Sequence, residues 1–207
     1  MLKLSTYRTV KVVAAAGVLA CAGQIALADG PYYGGGLAIY SSKSAEATGS
    51  PVESEDVYGA IGATVGYRWD RGTTFFGLEA DADIAFNSDF EYANVECSVA
   101  ADGPYYCEHD ATLRLRGVIG GPVGAFEGFA SLGVAAMQGQ GATSPTTTDR
   151  GVNTGYTVGL GLQNDLANGK MRYEIVYDNF ENTTTKPGGI YEPDFESVSF
   201  KVSYLFN

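Results

Sequence analysis

The residues able to do chemistry in this chain are few, and most of them carry charge. Glu79, Asp81 and Asp83 stand at every second position, and Arg114 and Arg116 repeat that spacing further on. Arg172, Glu174 and Asp178 precede Lys201, and Glu127 stands on the polar side of another alternating run. Period-two spacing places each set on one face of a strand. Acids of one strand opposite guanidiniums of the next form ion pairs that matter when buried and count for little in water. Nucleophilic catalysis is poorly served. The one histidine, His109, lies beside Glu108 and Asp110, with Ser98 as the nearest serine of its segment. A triad needs nucleophile and base within hydrogen-bond reach, and an exposed loop histidine among acids is the simpler reading. Asp81-Ala82-Asp83 lacks the turn glycine and terminal glutamate of a calcium loop. Gly34-Gly35-Gly36 and Gly159-Leu160-Gly161 lead into no helix, so they are strand glycines and not a phosphate cradle. No cofactor and no metal is expected.

The elements that must position these groups follow from composition. The chain has 207 residues, 28 of them glycine, and only 18% are charged, which suits one all-β domain of many strands and turns. A net charge of −11 argues against nucleic acid as a partner. Lys3, Arg8 and Lys11 precede the apolar run VVAAAGVLACAGQIALA, and Ala26-Leu27-Ala28 offers small residues where a signal peptidase reads. Residues 1–28 therefore read as a secretory signal peptide cleaved after Ala28, and 29–207 as the mature domain. A lipoprotein box at Cys21 is the rival reading, weakened by Leu19 two positions before the cysteine. Cleavage removes three cations, taking the net charge to about −14, and leaves Cys97 and Cys107 as an even pair in an exported chain. That pair reads as one local disulfide; two thiols and one nearby histidine do not match a closed zinc site.

Alternation recurs in eight runs: 32–41, 57–69, 75–86, 111–119, 125–138, 155–162, 171–178 and 197–206. Each approaches the length a tilted strand needs to cross a bilayer. The links at 70–73, 120–124 and up to Asn168-Gly169 are short, whereas 42–56, 87–110, 139–153 and 181–194 are long and polar. Short and long links alternate, so the turns gather at one end of a closed sheet and the loops at the other. The expected fold is all-β, an eight-stranded antiparallel up-and-down transmembrane β-barrel. A lipocalin-like soluble barrel would share the alternation. Gly62, Gly66, Gly155, Gly159 and Gly161 on the non-apolar face decide against it, because a narrow lumen needs small residues and a wet surface does not. The facing charges and the strand-end aromatics Tyr67, Trp69, Tyr204 and Phe206 point the same way, the latter as an interfacial girdle. The lumen network expected is Glu79, Asp81, Asp83, Arg114, Arg116, Glu127, Arg172, Glu174, Asp178 and Lys201, with Lys201 set beside the acids of run 171–178.

YYGGGLAIY, GATVGYRWDRGTTFFGLEADADIAF, LRLRGVIG with its Gly-Pro turn, and the terminal VSFKVSYLF together resemble the small outer-membrane β-barrel proteins of Gram-negative bacteria, the porin-family or surface-antigen group. Members usually end on the aromatic residue; here Asn207 follows Phe206. The resemblance implies a monomer in the cell outer membrane, with long loops extracellular and short turns periplasmic. Its partners would be outer-membrane lipids, lipopolysaccharide and, during insertion, the barrel-assembly machinery. The function expected is a structural, envelope-integrity role with acidic surface loops and a lumen plugged by charge, and not an enzyme. A narrow pore for water, ions or small solutes is the alternative. A lipid A-modifying enzyme using His109 and an adhesin meeting a host or phage surface stand behind it.

Overall fold

The computed structural model describes residues 29–45, 53–88, 91–92, 95–96, 105–144, 147–180 and 194–206. Their alternating sequence builds β1 (Gly30–Ala45), β2 (Glu53–Arg71), β3 (Thr74–Phe86), the two-residue pieces β4 (Glu91–Tyr92) and β5 (Val95–Glu96), then β6 (Tyr105–Val123), β7 (Phe126–Ser144), β8 (Thr147–Leu166), β9 (Gly169–Phe180) and β10 (Asp194–Phe206). The eight long strands are antiparallel to their neighbours in the order β1-β10-β9-β8-β7-β6-β3-β2, and β2 pairs back onto β1. The sheet is thus a closed eight-stranded barrel, and no helix occurs among the described residues. Closure satisfies backbone donors and acceptors without an open edge. Two short turns need a left-handed residue, and both have glycine there: Gly72 at φ 67° and Gly124 at φ 63°.

The apolar parity faces out. Leu37, Ile39, Leu78, Ile84, Leu115, Leu132, Leu160 and Ile175 are all exposed, Leu115 by 59%. A continuous apolar exterior around a polar interior suits lipid as the surrounding solvent. Inside, Tyr40, Tyr58, Met137, Phe180 and Phe195 pack near the loop end, and Phe75, Val118 and Phe129 near the turn end. The charged groups lie between these two apolar clusters.

Three expectations change. Residues 139–153 do not form a long loop: β7 and β8 continue as a paired ladder to Ser144↔Thr147. Polar residues there removed the apolar alternation, but backbone pairing does not require it. The segment expected as a loop over 87–110 also yields strand from Tyr105, carrying register shifts between Tyr106 and Glu108 and between His109 and Ala111. Those bulges turn His109 inward, so it is buried at 3% exposure and not an exposed loop residue. Residues 1–28, Cys97, the Cys107 side chain and the loop acids Glu46, Asp89 and Asp102 lie outside the described set, and with them the expected leader and disulfide.

Candidate functional site

The inward parity of β3 carries Glu79, Asp81 and Asp83, and that of β6 carries Arg114 and Arg116. Register sets Glu79 opposite Arg116 and Asp81 opposite Arg114. On the far wall β9 presents Arg172, Glu174 and Asp178, and β10 presents Lys201. These nine side chains form two layers across the lumen, and none is more than 4% exposed.

The loop-side layer centres on Arg114. Its Nη1 donates to Asp81 at 2.8 Å and Asp83 at 2.6 Å, while Nε and Nη2 make a fork onto Asp178 at 2.9 and 2.5 Å. Lys201 Nζ lies 2.6 to 2.9 Å from both oxygens of Asp81 and of Asp83. Tyr40 donates to Asp83 and accepts from Arg114 Nη2, Thr64 donates to Asp81, and Ser197 donates to Asp178. Lys201 therefore reaches across the lumen, although its register partner is Glu174. The reach has a simple cause: Arg116 already holds Glu174 at 2.8 Å, and the long lysine stem can cross to the acids opposite.

In the turn-side layer Arg116 bridges Glu79 at 3.0 Å and Glu174 at 2.8 Å, and Arg172 reaches Glu79 at 2.5 Å. Tyr32 donates to Glu79, Ser131 donates to Glu174, and Gln163 accepts from Arg172 Nε. Gly159 makes room here: a Cβ would meet Glu174 Oε1 and Ser131 Oγ at 2.4 Å. Both layers tie β3 and β6 to β9, and the loop-side layer also takes in β10 through Lys201, so the bonds span the barrel as well as neighbouring strands. Dense hydrogen bonding of this kind is what allows ions to sit away from water.

Glu127 belongs to a third group at the short-turn rim, linked to the turn-side layer through Gln163. It accepts from Arg68 at 2.8 Å, Lys170 at 2.8 Å and Gln163 at 2.8 Å, and Arg68 also pairs with Asp70 at 2.7 Å. Gln163 is buried, whereas Arg68, Asp70, Glu127 and Lys170 are partly exposed. The girdle residues face out at the same end, with Tyr67 and Trp69 rings 4.8 Å apart and Tyr204 and Phe206 rings 4.7 Å apart.

At the loop end His109 shares its ring nitrogens with Tyr58 OH and, at 2.7 Å, Thr112 Oγ1; Tyr58 continues to Ser42 at 2.9 Å. The ring sits among Tyr40, Tyr58 and Phe195. Among the described residues this hydroxyl-bonded imidazole has no carboxylate as a hydrogen-bond partner, and Ser98 lies outside them. Among the described residues no group of acids, histidines and cysteines is arranged to hold a metal ion.

Sequence reasoning missed the inward aromatics Tyr32, Tyr40, Phe75 and Phe129, since a count of apolar against polar positions does not assign an aromatic to the lumen. It also missed Arg68, Asp70 and Lys170 as rim partners of Glu127. The parity shared by Thr64, Gly66, Arg68 and Asp70 was the available signal.

Solved structures with this architecture include Neisserial surface protein A, at 7% identity and TM-score 0.48, covering 86% of this chain and 98% of that one. The attachment invasion locus protein Ail of Yersinia pestis matches at 13% identity and TM-score 0.48, covering 86% and 99%. The N-terminal β-barrel domain of Pseudomonas aeruginosa OprF matches at 10% identity and TM-score 0.46, covering 86% and 98%. Among curated proteins no sequence relative matches. The family described as outer membrane protein beta-barrel domain matches residues 12–206. The chain belongs to that family, and its closed barrel is an outer-membrane barrel.

Proposed function

We propose that the protein is a structural element of the outer membrane whose lumen is closed by its own ion pairs, serving envelope integrity and neither passage of solutes nor catalysis. The observation supporting this is the cross-lumen reach of Arg114, Arg116, Arg172 and Lys201. Each joins an acid on a different part of the wall, and all are almost wholly buried. A solute would have to break several buried pairs at once, and breaking even one such pair costs about 3–5 kcal/mol.

In this reading the short turns face the periplasm and the acidic loops face outward, after removal of residues 1–28 on export. The apolar exterior and the Tyr67, Trp69, Tyr204 and Phe206 girdle contact outer-membrane lipid. Outward-facing charges near the loop end, such as the Lys43–Glu55 pair at 2.7 Å, meet the lipopolysaccharide headgroups. The protein acts as a monomer, inserted by the barrel-assembly machinery.

Planar-bilayer recording on the purified barrel tests the closed lumen. The expected result is a quiet membrane at neutral pH. A steady open conductance would overturn the closed reading in favour of a narrow pore for water, ions or small solutes.

A further inference from the structure

The turn end of the lumen repeats one packing motif around the barrel. Phe75 of β3 lies over Gly120 of β6, where a Cβ would come within 2.5 Å of the ring. Tyr32 of β1 lies in the same way over Gly66 of β2, its ring 2.5 Å from such a Cβ. Phe129 of β7 covers Gly161 of β8, and Leu205 of β10 covers Gly34 of β1, where a Cβ would meet Leu205 Cδ2 at 2.6 Å. Each large side chain leans onto a glycine of the next strand, always in the same sense around the closed sheet. Each also stands near the turn-side end of its own strand. Pairing large with small residues in this way is how a narrow barrel fills its section.

What fills the section here is apolar. Phe75, Val118 and Phe129 pack together, and Phe75, Phe129 and Leu205 are at most 5% exposed. On the rim side the Arg68 guanidinium covers Phe75, 3.8 Å from the ring centre. On the side of the ion layers Arg172 stands 4.5 Å from the centre of the Phe129 ring, and Tyr32 donates to Glu79. The rings therefore stand between the rim group and the turn-side layer, which Gln163 bridges along the β8 wall.

We propose that this packing is a second closure of the lumen: an apolar partition that bars water and ions at the turn end independently of the ion pairs behind it. It deepens the closed-lumen reading and rests on it. An ion entering a hydrophobic constriction sheds its hydration with no polar group to replace it, so the constriction stays dry and shut. A side chain at Gly120 or Gly161 would displace the ring that fills the section. At this end the buried pairs owe their separation from water to the rings.

Cysteine accessibility tests this on the folded barrel in detergent micelles, where a dissolved reagent reaches both mouths. Ser131 is 3% exposed, donates to Glu174, and stands two residues beyond Phe129 on the inward parity of β7. Ser131→Cys is treated with silver ion, and the thiol left is titrated after unfolding, against the chain without the added cysteine. The expected result is slow loss in the otherwise native barrel and loss roughly tenfold faster or more when Phe75→Ala and Phe129→Ala are combined. The two single variants are read as well, so a double variant that fails to refold does not leave the result open; heat-modifiable migration establishes folding. Fast loss in the otherwise native barrel overturns the partition, and so does an unchanged rate in the folded alanine variants, because the ion pairs then exclude water alone. Planar-bilayer current of the Ser131→Cys barrel separates the two ideas. A steady conductance overturns the closed lumen itself, whereas a quiet barrel with a readily lost thiol overturns only the partition.

Discussion

The lumen centre and the short-turn rim are built from the same side chains at the same distances, yet they hold the barrel to different degrees. Arg114 and Asp178 meet at 2.5 Å, and Arg68 and Glu127 at 2.8 Å. The difference is water. Arg114 and Asp178 have fully buried side chains, whereas 18% of Arg68 and 26% of Glu127 remains exposed. At the rim a lost partner is replaced by solvent; in the centre it is replaced by nothing. Distance alone therefore says little about which pair matters.

Substitutions should separate the two regions. The largest effect is expected for Arg114→Met, which leaves Asp81, Asp83 and Asp178 facing Lys201 alone. We expect a loss of about 3–5 kcal/mol in urea unfolding from lipid vesicles, or failure to refold. Gly159→Val leaves all charges in place but drives a side chain into Glu174 and Ser131, and should cost about 1–3 kcal/mol by the same assay. Arg68→Met at the rim should cost only about 1 kcal/mol, with the difference from wild type shrinking as salt is raised. Lys43→Ala, which removes an exposed pair with Glu55, should stay within about 0.5 kcal/mol of wild type. If Arg68→Met proved as damaging as Arg114→Met, burial would not be the quantity that distinguishes the two regions.

The sequence made the barrel legible because the acid parity of β3 and the guanidinium parity of β6 repeat every second residue, and closure follows from alternating link lengths. The neighbour pairs Glu79 with Arg116 and Asp81 with Arg114 could be read the same way. The cross-lumen partners could not. Lys201 with Asp81 and Arg114 with Asp178 depend on how far the strands are staggered when the sheet closes, which no single strand encodes. His109 was lost for another reason. The bulges around it shift the parity count, so His109 and Thr112 both point inward although one position is odd and the other even. Inward Tyr40 and Phe129 were hidden because an aromatic satisfies either face of such a wall: it is apolar enough for lipid and large enough to fill a lumen.

The girdle also gives the chain an optical handle. Trp69 is its single tryptophan, on the outer wall beside Tyr67 and opposite Phe76 in the β2–β3 ladder. If the proposed girdle places this indole at the headgroup level, its emission should shift when the barrel leaves water for lipid, and the ring lies on the outer parity, away from the lumen. Fluorescence should therefore follow insertion while staying blind to any change of charge inside, so the two events can be timed independently in one unlabelled sample.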